Sequence, residues 1–250
     1  MTQARPLLSF ILLVCMSLLL SFSYRFYIDI PVVNWVVQHL HLPFKWLETY
    51  FHEMSHGLAA LLTGGSISHI ELNLDGSGVC YTRGGIPSVI SFAGYAGAVI
   101  WGCFLYILGI SSSVKTTRYL SVIFAIAIAL TLLLWMKGHS SNYIIMPFII
   151  SLFFLAFYSA ENHAYIPQLF LKFSGVYVVI SAIRSPLYLI DGKAIGDGAA
   201  LQQSTGLPEA VWITIWLGFA CAGLFFLLWL SWQYRNQNTV HSSVEKKRYI

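Results

Sequence analysis

Three residues in one short run, His52, Glu53 and His56, have the types and spacing to hold and use a metal ion. They spell His-Glu-x-x-His. On a helix, side chains at i and i+4 leave the same face one turn apart, so both imidazoles can ligate a single cation. Glu53 sits one position round. There a carboxylate can reach a metal-bound water as general base, while the metal lowers that water's pKa from about 15.7 toward 7 and polarises a scissile carbonyl. At the His and Glu content of this chain the pattern arises by chance in roughly 0.6% of such sequences. It also lies in an apolar stretch, where an ionisable group costs about 2.5 to 3.5 kcal/mol at the bilayer centre and is tolerated mainly for a site. Two histidines and a carboxylate suit Zn2+ best, although the same donors accept cobalt or manganese.

A catalytic zinc takes three protein ligands and keeps a position open, so a third donor must come from elsewhere in the chain. Only ten acidic residues exist to supply it. Asp191 is the preferred one, because it closes the long apolar run that ends Ser185-Pro186-Leu187-Tyr188-Leu189-Ile190-Asp191-Gly192 and would be set by a helix end at membrane depth. Asp197, in Gly196-Asp197-Gly198-Ala199, competes with it; its structural alternative is to cap a helix starting near Ala199, accepting hydrogen bonds from the first free N–H groups.

His-Glu-x-x-His on a membrane helix with a distant Asp-Gly after an apolar run resembles the site-2 protease family of intramembrane zinc proteases. That family's second motif, Asn-Pro-x-Pro-x-Leu-Asp-Gly, is matched here at Pro186, Asp191 and Gly192, with Ile190 for Leu, Ser185 for Asn and Tyr188 for the second Pro. Thr63-Gly64-Gly65, Glu71-Leu72-Asn73, Gly76-Ser77-Gly78 and Ala93-Gly94-Tyr95-Ala96-Gly97 extend the likeness to a short bacterial branch, over most of residues 50 to 215. The resemblance implies a zinc on His52, His56 and Asp191, water activation by Glu53, and a substrate that is itself a membrane helix locally unwound at the site.

The elements that must position these residues follow from hydropathy. Of 250 residues 57% are hydrophobic and 10% charged, against about 25% charged in soluble domains, and the mean hydropathy is +0.71. The expected fold is all-α, a polytopic membrane helix bundle. Pro6 to Phe22 reads as a first span, Tyr24 to Lys45 as an interfacial stretch, and Trp46 to Leu62 as the motif helix, stopped by Thr63-Gly64-Gly65. Alternation at Ile67, His69, Glu71 and Asn73 among glycines predicts a small β element after that helix. Apolar blocks near 86–110, 117–136, 142–158, 170–190 and 209–232 bring the membrane segments to about seven. The expected organisation is one membrane-embedded metalloprotease domain over 1–250, with a first helix (1–23), a catalytic core (46–232) and a polar tail (233–250).

Lys and Arg summed over alternate connections give nine against five, which favours a cytoplasmic C-terminus, in a bacterial inner membrane if the resemblance holds. Scattered basic residues do not suggest nucleic-acid binding. Four distant cysteines indicate neither a sulfur-rich metal site nor a disulfide framework, and read as small apolar packers. The partners expected are the lipid bilayer and a membrane protein or peptide substrate. Three further histidines, His69, His139 and His163, fall in connections; Arg184 could pair with Asp191, stabilise an oxyanion, or snorkel to the interface. Gly94 and Gly97 read as close helix packing. Two other functions compete: a zincin whose third ligand is a glutamate, Glu161 or Glu209, and a non-enzymatic scaffold, chaperone or transporter, against which the intact Glu53 argues.

Overall fold

The computed structural model describes residues 6–25, 27, 29–136, 139–159, 165–190 and 195–248, with side chains up to Tyr234 apart from those of Tyr24 and Ser159. In chain order the elements are α1 (Pro6–Phe22), α2 (Pro31–His39), α3 (Leu42–Leu62), β1 (Ser66–Leu72), β2 (Gly78–Arg83), α4 (Pro87–Ser111), α5 (Val114–Trp135), α6 (Asn142–Ser159), α7 (Ile166–Arg184), α8 (Asp197–Thr205) and α9 (Glu209–Arg248). Short 3-10 turns follow α1 and α7. The expected all-α membrane bundle with one small β element is what the chain forms.

Four helices are long and apolar enough to cross a bilayer: α4, α5, α7 with its following turn, and α9 over Glu209–Tyr234. Two shorter apolar helices, α1 and α6, accompany them. The motif helix α3 falls outside both groups, because Lys45, Glu48, His52, Glu53 and His56 interrupt its apolar face. It is nevertheless interior, with Leu47, Phe51 and Ala60 fully or almost fully buried. The apolar side chains of α5 and α9 that face outward, Ile123, Ile126, Phe225 and Trp229 among them, would be costly in water and are matched to lipid.

Proline starts the helices that matter. Pro43, Pro87 and Pro167 each occupy a first-turn position, where the missing N–H costs nothing and φ is already helical. α3 begins four residues before the expected Trp46 because this signal lies at Leu42-Pro43. It stops where expected: Gly64 takes φ +83°, and the Thr63 hydroxyl donates to the Ala59 carbonyl at 2.7 Å while accepting from the Ile86 N–H at 3.1 Å. That side chain ties the end of α3 to the start of α4.

α4 and α7 cross at small residues. A Cβ on Gly102 would lie 2.8 Å from the Gly175 carbonyl oxygen, and one on Gly175 would lie 2.7 Å from the Tyr106 nitrogen. Only glycine at both positions lets the backbones approach this closely. The hairpin is antiparallel, with Leu72 opposite Gly78 and a bulge between Ile67 and His69. Ile67, Ile70 and Leu72 turn inward against α3. Asn142, at the head of α6, donates to the Ile70 carbonyl at 2.8 Å and accepts from the Leu72 N–H at 2.9 Å, so the outer edge of β1 is satisfied by a side chain.

Two of the cysteines, Cys80 and Cys103, pack against the core as expected, whereas Cys15 and Cys221 are exposed on helix surfaces; all four are free thiols.

Candidate metal centre

The helical spacing of α3 brings the two motif imidazoles together, with ring centroids 4.8 Å apart and the two Nε2 atoms at 3.1 Å. The carboxylate that meets them is Asp197. Its Oδ2 lies 3.2 Å from His52 Nε2 and 3.3 Å from His56 Nε2. Three ligand atoms around a tetrahedral zinc with bonds of about 2.0–2.1 Å stand about 3.3 Å apart. The observed triangle has those edges, and it is the one group of three potential metal ligands found among the described residues.

Asp197 is the first residue of α8. It follows Gly196, whose φ of +101° turns the chain into the helix, and no side-chain cap is formed there. Its carboxylate reaches the two imidazoles. Burial works against its charge, but the neighbouring His56 and His52 outweigh burial and hold its pKa well below the usual carboxylate range. Asp191, the preferred third ligand from sequence, lies outside the described residues, as do Glu161 and His163. Glu209 is not in the triangle: it begins α9, and its carboxylate packs against Gly198.

The His56 ring is held from behind. Its Nδ1–H donates to the Ile90 carbonyl at 2.7 Å, which turns Nε2 into the triangle. α4 closes on the same rings. A Cβ on Gly94 would overlap His56 Nε2 and lie 2.7 Å from His52 Cε1, and one on Gly97 would overlap the Ser55 side chain. Close packing at Gly94 and Gly97 is thus present, and at Gly94 the packed surface is the pair of imidazoles itself. Tyr95, the next residue, sets its ring edge-on to His52 at 4.5 Å.

Glu53 is buried and lines a cavity of about 160 Å³ that runs beside His52 between α3, the hairpin turn and the turn after α7. The hairpin turn is shaped by Asp75, which accepts from the N–H and hydroxyl of Ser77, and by Gly76 at φ +86°. Its exit residue Gly78 sits so near Glu53 that a Cβ there would be 2.9 Å from Glu53 Cγ. On the far wall Lys45 donates to the buried Glu48 at 2.7 Å, and the Ser185 hydroxyl approaches the other Glu48 oxygen at 3.4 Å. Ser185 is the residue that stands for Asn in the second motif of the family the sequence resembles. A buried carboxylate at position 48 was not singled out from sequence, and the only available signal was a Lys and a Glu at i, i+3 preceding the motif on one helix.

The other polar residues have separate attachments. His69 lies 3.2 Å from Glu71 and stacks on Tyr81, and His139 Nε2 pairs with Asn73 at 3.1 Å, so both gather around the hairpin. Arg184 donates to the Ser21 carbonyl and lies 5.9 Å from the Phe22 ring, which commits it to the end of α1.

A model of the family described as Peptidase M50B-like matches residues 26–230, a span that contains α3, the hairpin, α4 and α8. No curated protein and no solved structure matches the chain.

Proposed function

Because the chain belongs to the Peptidase M50B-like family, a membrane protease family, we propose that it is a zinc metallopeptidase that hydrolyses peptide bonds within or beside the bilayer, with His52, His56 and Asp197 as the metal ligands. The observation that carries this reading is the triangle of His52 Nε2, His56 Nε2 and Asp197 Oδ2, whose edges of 3.1, 3.2 and 3.3 Å suit a tetrahedral ion with one position left open. Zinc bound there would supply a Lewis acid for the scissile carbonyl and acidify the attacking water.

The chain's own residues divide the remaining work. His56 is oriented by Ile90, so its ligating nitrogen is preset. Glu53, outside the triangle but on the same helix turn, accepts the proton of the attacking water and returns it to the leaving nitrogen. The cavity beside it, with Lys45, Thr49, Ser77 and Ser185 in its walls, gives water a polar route to the carboxylate through an otherwise apolar bundle. Substrate backbone must arrive unwound, since helical carbonyls are hydrogen-bonded and shielded. A membrane protein or peptide is the substrate class that matches a site set among lipid-facing helices.

The test pairs metal content with cleavage. Detergent-purified wild type should carry about one zinc per chain, with His56→Ala and Asp197→Asn losing it and Asp191→Asn keeping it; Glu53→Gln should keep zinc and lose cleavage of apolar helix-derived peptides by about 10³-fold or more. Wild-type protein without stoichiometric metal would sink the peptidase reading in favour of a scaffold. Zinc lost in Asp191→Asn and kept in Asp197→Asn would move the third ligand to Asp191.

A further inference from the structure

We propose that Tyr95 is a catalytic residue of this site: its phenolic hydroxyl donates a hydrogen bond to the oxyanion that develops on the carbonyl of the bond being cleaved. The inference rests on the hydrolytic reading above. It is carried by a count of donors. An amide carbonyl attacked beside Glu53 gathers negative charge on its oxygen, and a fixed donor aimed at that charge is among the larger single contributions an enzyme can make.

The cavity that Glu53 lines offers a short set of side-chain donors besides its histidine, and all but one already hold a partner, although the Lys45 ammonium keeps N–H groups beyond the one it gives to Glu48. Lys45 is held by Glu48 at 2.7 Å. The Thr49 hydroxyl donates to the Gly76 carbonyl at 2.7 Å, that of Ser77 to Asp75 at 2.8 Å, and that of Ser185 approaches Glu48 at 3.4 Å. Tyr95 also lines this cavity, and among the described residues its hydroxyl has no hydrogen-bond partner. Arg184, the other candidate offered by the sequence, does not line this cavity, and one of its nitrogens donates to the Ser21 carbonyl at the end of α1.

The phenol is also held still. Its ring lies edge-on to His52 at 4.5 Å and tilted against Trp216 at 4.7 Å. Trp216 is fully buried and donates its indole N–H to the Phe92 carbonyl at 3.1 Å. A donor clamped in this way needs little reorganisation as charge appears, which is the condition for it to favour the transition state over the ground state. In the addition step the water oxygen bonds to the carbonyl carbon, the C=O π pair moves onto oxygen, and Glu53 takes the water's proton. In the collapse that pair re-forms C=O, the C–N bond breaks, and the proton on Glu53 passes to the leaving nitrogen. Tyr95 keeps its own proton throughout.

Tyr95→Phe isolates the hydroxyl, because the ring that packs on His52 remains. The experiment uses full-length, zinc-loaded wild type and Tyr95→Phe in detergent, with a dye-quenched apolar peptide as substrate and a phosphinic analogue of the same peptide, whose tetrahedral P–O⁻ mimics the oxyanion. The variant should keep one zinc per chain and KM within about twofold, while kcat and affinity for the phosphinic peptide both fall by about 100-fold. Unchanged kcat and phosphinic affinity in a zinc-loaded variant would overturn the role of Tyr95 and leave the peptidase reading intact. Loss of zinc from the variant would overturn it too, in favour of a positioning role for the ring on His52. Wild type that neither cleaves the peptide nor binds the analogue would overturn the peptidase reading and this inference together.

Discussion

The backbone of Gly94 lies directly against the imidazole of His56, so that a methyl group at position 94 would occupy the space of its Nε2. α4 therefore serves the site through the absence of a side chain. The same helix turn contributes the Ile90 carbonyl that orients His56 from its other nitrogen.

Gly94→Ala is accordingly expected to separate stability from metal binding. Alanine favours a helix over glycine by about 1 kcal/mol, so α4 itself should not suffer. The added methyl must displace His56 or His52, and zinc affinity should fall by about 100-fold or more. Metal content after dialysis against graded zinc buffers, measured beside the thermal midpoint, checks both halves; a variant that binds zinc like wild type would contradict the packing described.

Gly78→Ala should do the reverse. Its Cβ would press on Glu53 Cγ and on Thr49, at 2.9 and 2.7 Å, and leave the triangle untouched. Zinc content should match wild type while cleavage drops by about 10- to 100-fold, since a base displaced by a fraction of an ångström loses its alignment. Peptide turnover by the metal-loaded variant is the readout, and normal turnover would argue that Glu53 has room to retreat.

Lys45 and Glu48 should show strong non-additivity. Lys45→Met leaves the Glu48 carboxylate, which is 2% exposed, without its cation. Removing one member of a largely buried pair costs more than removing both, by about 1 to 3 kcal/mol after allowance for the partial exposure of Lys45. The double variant Lys45→Met/Glu48→Gln should thus be more stable than Lys45→Met alone. Thermal midpoints of the four proteins of the cycle decide it, and simple additivity would show that solvent already screens the pair.

Much of the fold was legible because membrane helices announce themselves by hydropathy and end at glycine and proline. The stop at Thr63-Gly64-Gly65, the β element after it and the apolar helices from Pro87 onward are all where the sequence puts them. The pairing of His52 with His56 was legible for the same reason: it is a property of one helix, 3.6 residues to the turn. Which carboxylate meets the imidazoles depends on something no local pattern encodes, the packing of α8 against α4 and α9. Asp191 and Asp197 are six residues apart in similar Asp-Gly contexts, and the turn at Gly196 leads into the helix whose first residue, Asp197, meets the imidazoles. Tyr95 was hidden differently. Its neighbours Gly94 and Gly97 signal close packing, but not that the surface packed against is the site, because the crossing of α3 and α4 is set by tertiary contacts.

The start of α8 has a consequence for the life of the protein. Asp197 follows His56 by more than half of the 250 residues, so a polypeptide emerging from the ribosome presents the two histidines and the glutamate long before the carboxylate that meets them. Until α8 has folded back onto α3, and α9 has brought Trp216 against Tyr95, the pieces of the site exist without the site. A metal held by these three side chains would find its site complete only once the last of these helices has docked.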